Sequence, residues 1–343
     1  MNSISIAKGI GIMMVVLGHC IATEQSLINR FIYQFHMPLF FFISGYCLND
    51  KYFSNIKLFC KRKFKGLYIP NLKYNFIFLL LHNAFISLYI IGGEKIDLLV
   101  FCKKLAQTIL FMEGTEQLLG GFWFLKQLII ASILGLIILK VIRIRIVQLL
   151  ILIIPAIVFS YYNFSIPYLF WGSQTFLATL FYIIGYHYKD ICFKYNLSTI
   201  IICFVIVLFG AILWPTGIVI NDCMYVLPYI ISAMAGIIMV MEFSKIINTQ
   251  KSYANMFSFI GNHTLTILTW HFLSFKIVSF IAILYYKFPM NTLISFPVIN
   301  ALVNNVIWIG LYFIVGITLP LTIVYINKFI SNSNLINNIR NIK

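Results

Sequence analysis

Residues 4–22 read ISIAKGIGIMMVVLGHCIA, an apolar run interrupted by one cation, Lys8, and one imidazole, His19. About 20 apolar residues rising 1.5 Å each cross the ~30 Å hydrocarbon core of a bilayer, so this run reads as a transmembrane helix. Runs of the same kind recur near 31–48, 67–92, 119–139 and 147–162, then near 168–186, 197–214, 223–243, 260–285 and 299–327. Backbone amides and carbonyls have no water to bond in lipid, so each run is expected as a helix and the whole as an all-α bundle of about ten transmembrane helices. Composition agrees: the 343 residues are 61% hydrophobic and 10% charged. A soluble domain carries roughly 25% charge, so most of this surface is made for lipid.

No Gly/Pro/Ser-rich tract separates two folding units, and residues 1–330 read as one membrane domain with a short Asn/Ile-rich cytoplasmic tail, 331–343. The first run lacks the basic flank and small-residue cleavage site of a secretory leader, so its helix is expected to be retained.

The net charge of +16 would fit a nucleic-acid binder if it lay on a soluble face, but Lys and Arg sit in short clusters between the apolar runs. Alternate loops carry 16 of them, from Lys51, Lys57 and the Lys61–Lys65 run to Lys328, Arg340 and Lys343. The intervening loops carry only Arg30, Lys95, Lys103, Lys104 and Lys287. Short cytoplasmic loops hold the excess of cations, which puts both termini in the cytoplasm of a multi-pass protein of the cytoplasmic membrane and leaves nucleic acid no role. The longest outer segment, 93–118, contains LLVFCKKLAQTILFM, whose apolar spacing suits a helix lying in the membrane interface.

Seven cysteines, at 20, 47, 60, 102, 192, 203 and 223, form no CxxC or Cys/His pattern and read as reduced packing residues with no metal among them. Of nine acidic residues almost all lie in loops or at run ends, which argues against paired-carboxylate glycosidase chemistry and against a carboxylate cage for a divalent cation. Nucleophile-elbow, P-loop and dinucleotide fingerprints are absent as well.

What remains is a set of polar groups in lipid-length runs. Lys8, Lys73, Lys126 and Lys276 fall inside them, and a central charge costs at least ~2.5 kcal/mol to insert unless it reaches an interface or lines a cavity. Lys8 and His19 are eleven residues apart, about three helical turns, so both lie on one stripe roughly 16 Å apart. With Lys8 at the cytoplasmic border, His19 falls near the midplane. His271 lies eight residues, about 12 Å, inward from His263 at the border of the ninth run, and so reaches a similar depth. A buried histidine of this kind is either a hydrogen-bonded packing residue or a proton-transfer group. In FHMPLFFFISGY, residues 35–46, Pro38 is expected in the first helical turn, which puts His36 near the outer end. His82 and His187 read as boundary residues. The run CKRKFKGLYIP, residues 60–70, sets topology and is dense enough in charge to meet phosphates.

The pair Lys8 and His19, the string FHMPLFFFISGY, the basic run ending in Ile69-Pro70, GFWFLKQL at 121–128 and NHTLTILTWHF at 262–272 together resemble the acyltransferase 3 family of bacterial integral-membrane O-acyltransferases. These blocks keep the family's order over most of the chain. Two departures are Lys8 where the family usually has Arg, and Lys63, Lys65 and Gly66 where it often has further Arg. Lysine keeps the charge without the bidentate fork.

The resemblance implies transfer of an acetyl or other acyl group from acyl-CoA, usually acetyl-CoA, to a hydroxyl of a surface or exported glycan or glycolipid. His19 and His271 are then the catalytic residues, with His19 as general base or acyl carrier. His36, Ser44, Trp123 and Lys126 are expected against the acceptor, the last three as alternative oxyanion donors, and Lys8, Arg62, Lys63 and Lys65 against the CoA phosphates. The rival class is a polytopic transporter or flippase of a glycan or anionic solute, which would show matching broken helices in two halves. No such internal symmetry is present in the sequence.

Overall fold

The computed structural model describes residues 2–21, 26–114, 116–166, 171–190, 197–218 and 225–332. Cys192, Cys223, Lys194 and the tail from 333 onward lie outside them, as do Lys328, Arg340 and Lys343 as side chains.

The chain is an all-α membrane protein. In order its helices are α1 (Asn2–Ile21), α2 (Leu27–Tyr46), the short α3 (Lys51–Ser54) and α4 (Ile56–Lys63), α5 (Ile69–Ser87), α6 (Leu98–Phe111), α7 (Trp123–Val141) and α8 (Arg145–Tyr161). Then follow α9 (Ser173–His187), α10 (Leu197–Leu213), α11 (Val226–Asn248), α12 (Lys251–Asn262), α13 (Thr264–Tyr286) and α14 (Val306–Asn332). Nine of the ten apolar runs each overlap one of these helices, and the run near 260–285 overlaps two, α12 and α13. Five stretches among the described residues are long and apolar enough to cross a membrane: Asn2–Ile21, Gln117–Val141, Val226–Asn248, Thr264–Tyr286 and Val306–Ile326. The segment 93–118 does form a helix, α6, with Leu98, Leu99 and Leu110 exposed on it.

Helices α1 and α2 form the middle of the bundle. α1 lies against α2, α11, α12, α13 and α14, while α2 lies against α7, α9, α10 and α11. Lipid gives helices no hydrophobic reason to associate, so close packing through small residues has to do it. Gly45 of α2 meets the Tyr182 carbonyl of α9, and Gly185 of α9 meets the Phe42 carbonyl of α2. Gly9 of α1 and Gly261 of α12 make the same kind of crossing, against Phe257 O and Ser5 O. A Cβ at any of these four positions would collide with backbone, so the two helix pairs touch main chain to main chain.

Three sequence expectations change. Helix α2 begins at Leu27, not near 31, because its polar side chains find acceptors inside the fold: Asn29 Nδ2 donates to Gly18 O at 3.0 Å and Gln34 Nε2 to Trp214 O at 3.0 Å. Pro38 is therefore interior, and His36 sits in mid-helix rather than at an outer end. The run 260–285 is two helices, since the chain bends at His263 (φ −115°, ψ 23°) immediately after α12 closes on α1 at Gly261. Helix α7 starts at Trp123, which moves Lys126 from the helix interior to its first turn.

Candidate functional site

One cavity of about 470 Å³ runs between α1, α2, α4, α7, α9 and the start of α13. Lys8, Arg62 and Lys63 line one end of it and His19, Tyr33 and His36 the other, with an apolar wall of Ile12, Val15, Met37, Phe40, Leu125 and Leu268 between. No Asp or Glu lines it among the described residues.

The deep end is built by α1, α2 and α13. Gly18, just before His19, allows α1 to approach the Tyr33 ring, and the Asn29 bond to its carbonyl pins that turn. The His19 ring then stacks on His271 at 5.5 Å between centroids, with the planes 25° apart, and touches Phe272 at 4.8 Å. His271 is fully buried behind it. His271 Nδ1 lies 3.0 Å from both Ile267 O and Leu268 O, and since carbonyls only accept, this nitrogen carries the hydrogen. Nε2 of neutral His271 is consequently a bare acceptor, and it has no partner. The same logic applies to His36, whose Nδ1–H donates to Ile32 O at 2.8 Å and leaves Nε2 as the basic atom. Two of the three imidazoles are thus fixed by backbone as proton acceptors at Nε2.

At the other end, α4 leads into a π-helical turn, Phe64–Tyr68, whose Gly66 forms part of the cavity mouth. Such turns often mark functional positions. Arg62 donates to Tyr52 Oη at 2.7 Å and remains exposed. Lys63 turns inward: Nζ donates to Ser44 Oγ at 3.2 Å and lies over the Phe59 and Tyr182 rings at 5.4 and 5.7 Å. Burial lowers Lys63 to about 8, the Arg62 charge pushes in the same direction, and Cys47 opposes both.

Seven of the ten expected site residues, Lys8, His19, His36, Ser44, Arg62, Lys63 and Trp123, line this single cavity, and His271 backs it. Lys65 is exposed on the π-helical turn and does not line it. Lys126 does not line it either; its Nζ pairs with Glu113 Oε1 at 2.7 Å. Next to that pair Glu116 holds both Lys104 (2.9 Å) and His82 (2.6 Å), so His82 ties the segment after α6 to α5. Three tyrosines of the wall, Tyr33, Tyr52 and Tyr182, escaped the sequence reading. Tyr33 was within reach, being one turn before His36 on the same helix face. Tyr182 comes from a remote run through the Gly45 crossing and left no local signal. Among the described residues no three His, Cys, Asp or Glu side chains converge as metal ligands would.

Residues 1–325 match the acyltransferase 3 family model, described as an acyltransferase domain. The chain belongs to this family. Neither the curated proteins nor the solved structures contain a match. For an acyltransferase the cavity has suitable chemistry, with cations at one end, bases at the other, and an apolar passage between them.

Proposed function

We propose that this acyltransferase takes an acetyl or similar short acyl group from cytoplasmic acyl-CoA and transfers it to a hydroxyl of a surface or exported glycan, such as a lipopolysaccharide, capsule or glycolipid sugar. The observation that carries the reading is the single cavity with Lys8, Arg62 and Lys63 at its mouth and His19 and His36 at its end. Lys8 and His19 are eleven residues apart on α1, so about 16 Å separates the two ends. A phosphopantetheine arm equals about four and a half peptide units, hence roughly 16 Å extended, and spans that length.

In this reading the cations hold the donor phosphates and the thioester carbonyl arrives beside His19. His19 removes the proton of the acceptor hydroxyl, the oxygen attacks the carbonyl carbon, and the tetrahedral adduct collapses with loss of the CoA thiolate, which takes up the proton. His271 is a positioning residue that holds the His19 ring, and His36 Nε2 accepts from the acceptor sugar. Trp123 is the remaining oxyanion donor, since Ser44 bonds Lys63 at the far end and Lys126 pairs with Glu113.

Mass spectrometry of envelope glycans from a deletion strain and its parent tests this directly. Loss of acyl substituents from one glycan, restored by the gene and by acetyl-CoA in isolated membranes, is the expected result. Unchanged glycans together with no thiol release from acetyl-CoA would overturn it.

The same reading uses all ten runs as spans with both termini in the cytoplasm of a bacterial cell. Lys57, in the first turn of α4, and Arg143, between α7 and α8, are exposed and lie in cation-rich connections between the runs. Single cysteines placed there, with native cysteines replaced by serine, should resist a membrane-impermeant maleimide in whole cells and react after permeabilisation. Strong labelling of intact cells at either position would reverse the topology.

A further inference from the structure

Helix α6 is held to the bundle mainly by its edges. Of its 14 residues only Thr108 is buried. A glycine in the left-handed half of backbone space stands on each side of it, Gly93 at φ +110° and Gly114 at φ +69°. A helix with so little buried surface opens more easily than the core, and side-chain bonds decide where it rests.

Those bonds run along α5. Asn83 Nδ2 donates to Ile96 O and Asn83 Oδ1 accepts from Ile96 N, each at 2.8 Å, just before α6 begins. Near its other end Tyr68 Oη donates to Ile109 O at 2.6 Å. Helix α6 therefore lies antiparallel to α5. Between these two ties sits His82 of α5, almost fully buried together with Glu116. His82 Nδ1 is 2.6 Å from Glu116 Oε2, and Nε2 is 3.3 Å from Glu94 O. A carboxylate and a carbonyl only accept, so both ring nitrogens carry hydrogen and His82 is an imidazolium. One ring thus fastens both flanks of α6, the connection before it at Glu94 and the turn after it at Glu116. A neutral imidazole has a single N–H and can keep only one of them.

The surrounding charges are otherwise engaged or exposed. Glu116 also takes Lys104 of α6 at 2.9 Å, and Glu113 takes Lys126 of α7 at 2.7 Å. Lys276 of α13 is bonded to the carbonyls of residues 293–295, of which Ile294 lies against Gly92. Asp97 caps α6 at Val100 N, while the Glu94 and Lys95 side chains, Lys103 of α6, Lys73 of α5 and Lys65 of the π-helical turn are exposed. His82 is the group among these built to change charge near neutrality.

We propose that α6 is a hinged strap, shut while the imidazolium of His82 holds Glu116 and the Glu94 carbonyl together, and released when that ring gives up its proton. The strap leads into the turn Gln117–Phe122, whose Gly121 lines the cavity and whose Gly120 faces Phe272, so release loosens that wall. The strap stands apart from the acyl-CoA reading and holds or fails without it.

Amide deuterium exchange of the full chain in lipid nanodiscs, corrected for the intrinsic rate at each pH, tests this. Protection of residues 98–111 should fall roughly 10- to 100-fold between about pH 5 and pH 8, the loss of one charge-assisted bond, while α13 stays unchanged. His82→Gln keeps a donor without the charge and should leave α6 equally loose at every pH, as should Glu116→Gln. Lys104→Met should loosen α6 by a smaller constant factor and keep the pH dependence. Protection of α6 that is flat with pH in the unaltered protein overturns the strap. So does a pH dependence that survives in His82→Gln or Glu116→Gln.

Discussion

Replacing His19 with alanine should lower acyl transfer by roughly 100- to 10,000-fold, the usual contribution of a positioned general base, while the protein continues to accumulate in the membrane. His19 faces the cavity and lies against the rings of His271 and Phe272, so alanine enlarges the cavity without stranding a charge. Removing a polar group from lipid also does not oppose insertion. His271→Phe should cost much less, since that ring touches the site only through His19. The measurement is glycan acylation, or thiol release from acetyl-CoA in membranes, at matched protein abundance. Activity near the parent level in His19→Ala would make this histidine a packing residue.

Lys276→Met should have the second large effect, on stability first and on activity through it. Lys276 is buried in the middle of α13, and its Nζ donates to Leu293 O and Ser295 O at 2.8 Å each and to Ile294 O at 3.5 Å. The ammonium acts as a tie that closes the α13–α14 connection onto α13 in place of water. Methionine fills the space but leaves those carbonyls unsatisfied, a loss on the order of 3 kcal/mol, or several degrees in thermal midpoint. The next residue of the connection, Phe296, packs on Phe272 at 4.7 Å, and Phe272 packs on His19. Turnover should therefore fall, though by far less than in His19→Ala. An unchanged midpoint with lost turnover would show that Lys276 acts on a substrate and not on the fold.

The bundle was legible because the length of apolar runs is set by lipid, and every run overlaps a helix, the one near 260–285 overlapping two. Boundaries were less legible wherever polar residues found partners at long range. Asn29, outside the run near 31–48, and Gln34, within it, are both bonded inside the fold, so α2 starts earlier and His36 lies in mid-helix on the same cavity as His19. The common depth of His19 and His271 could be read by helical arithmetic because each follows from position along its helix, and their rings stack. Lys126 could not, since its partner Glu113 lies in a turn whose path the sequence does not reveal. Tyr182 depends on which helix crosses α2 at Gly45, a tertiary fact with no periodic trace in its own run.

The glycine crossings also divide the cavity wall into parts of unequal stiffness. Where α2 meets α9 and α1 meets α12, backbone rests on backbone, and a rotation of either helix has no side chain to absorb it. The opposite wall is different in kind: Gly121, in the short turn Gln117–Phe122 before α7, rests on the branched end of the Leu268 side chain. Rotamers there can hop where main chain cannot. The acyltransferase thus resembles a vice with one fixed jaw of backbone crossings and one yielding jaw of side chains between α7 and α13; under the proposed reaction the first would keep the donor at a constant distance from His19 and the second would admit the acceptor.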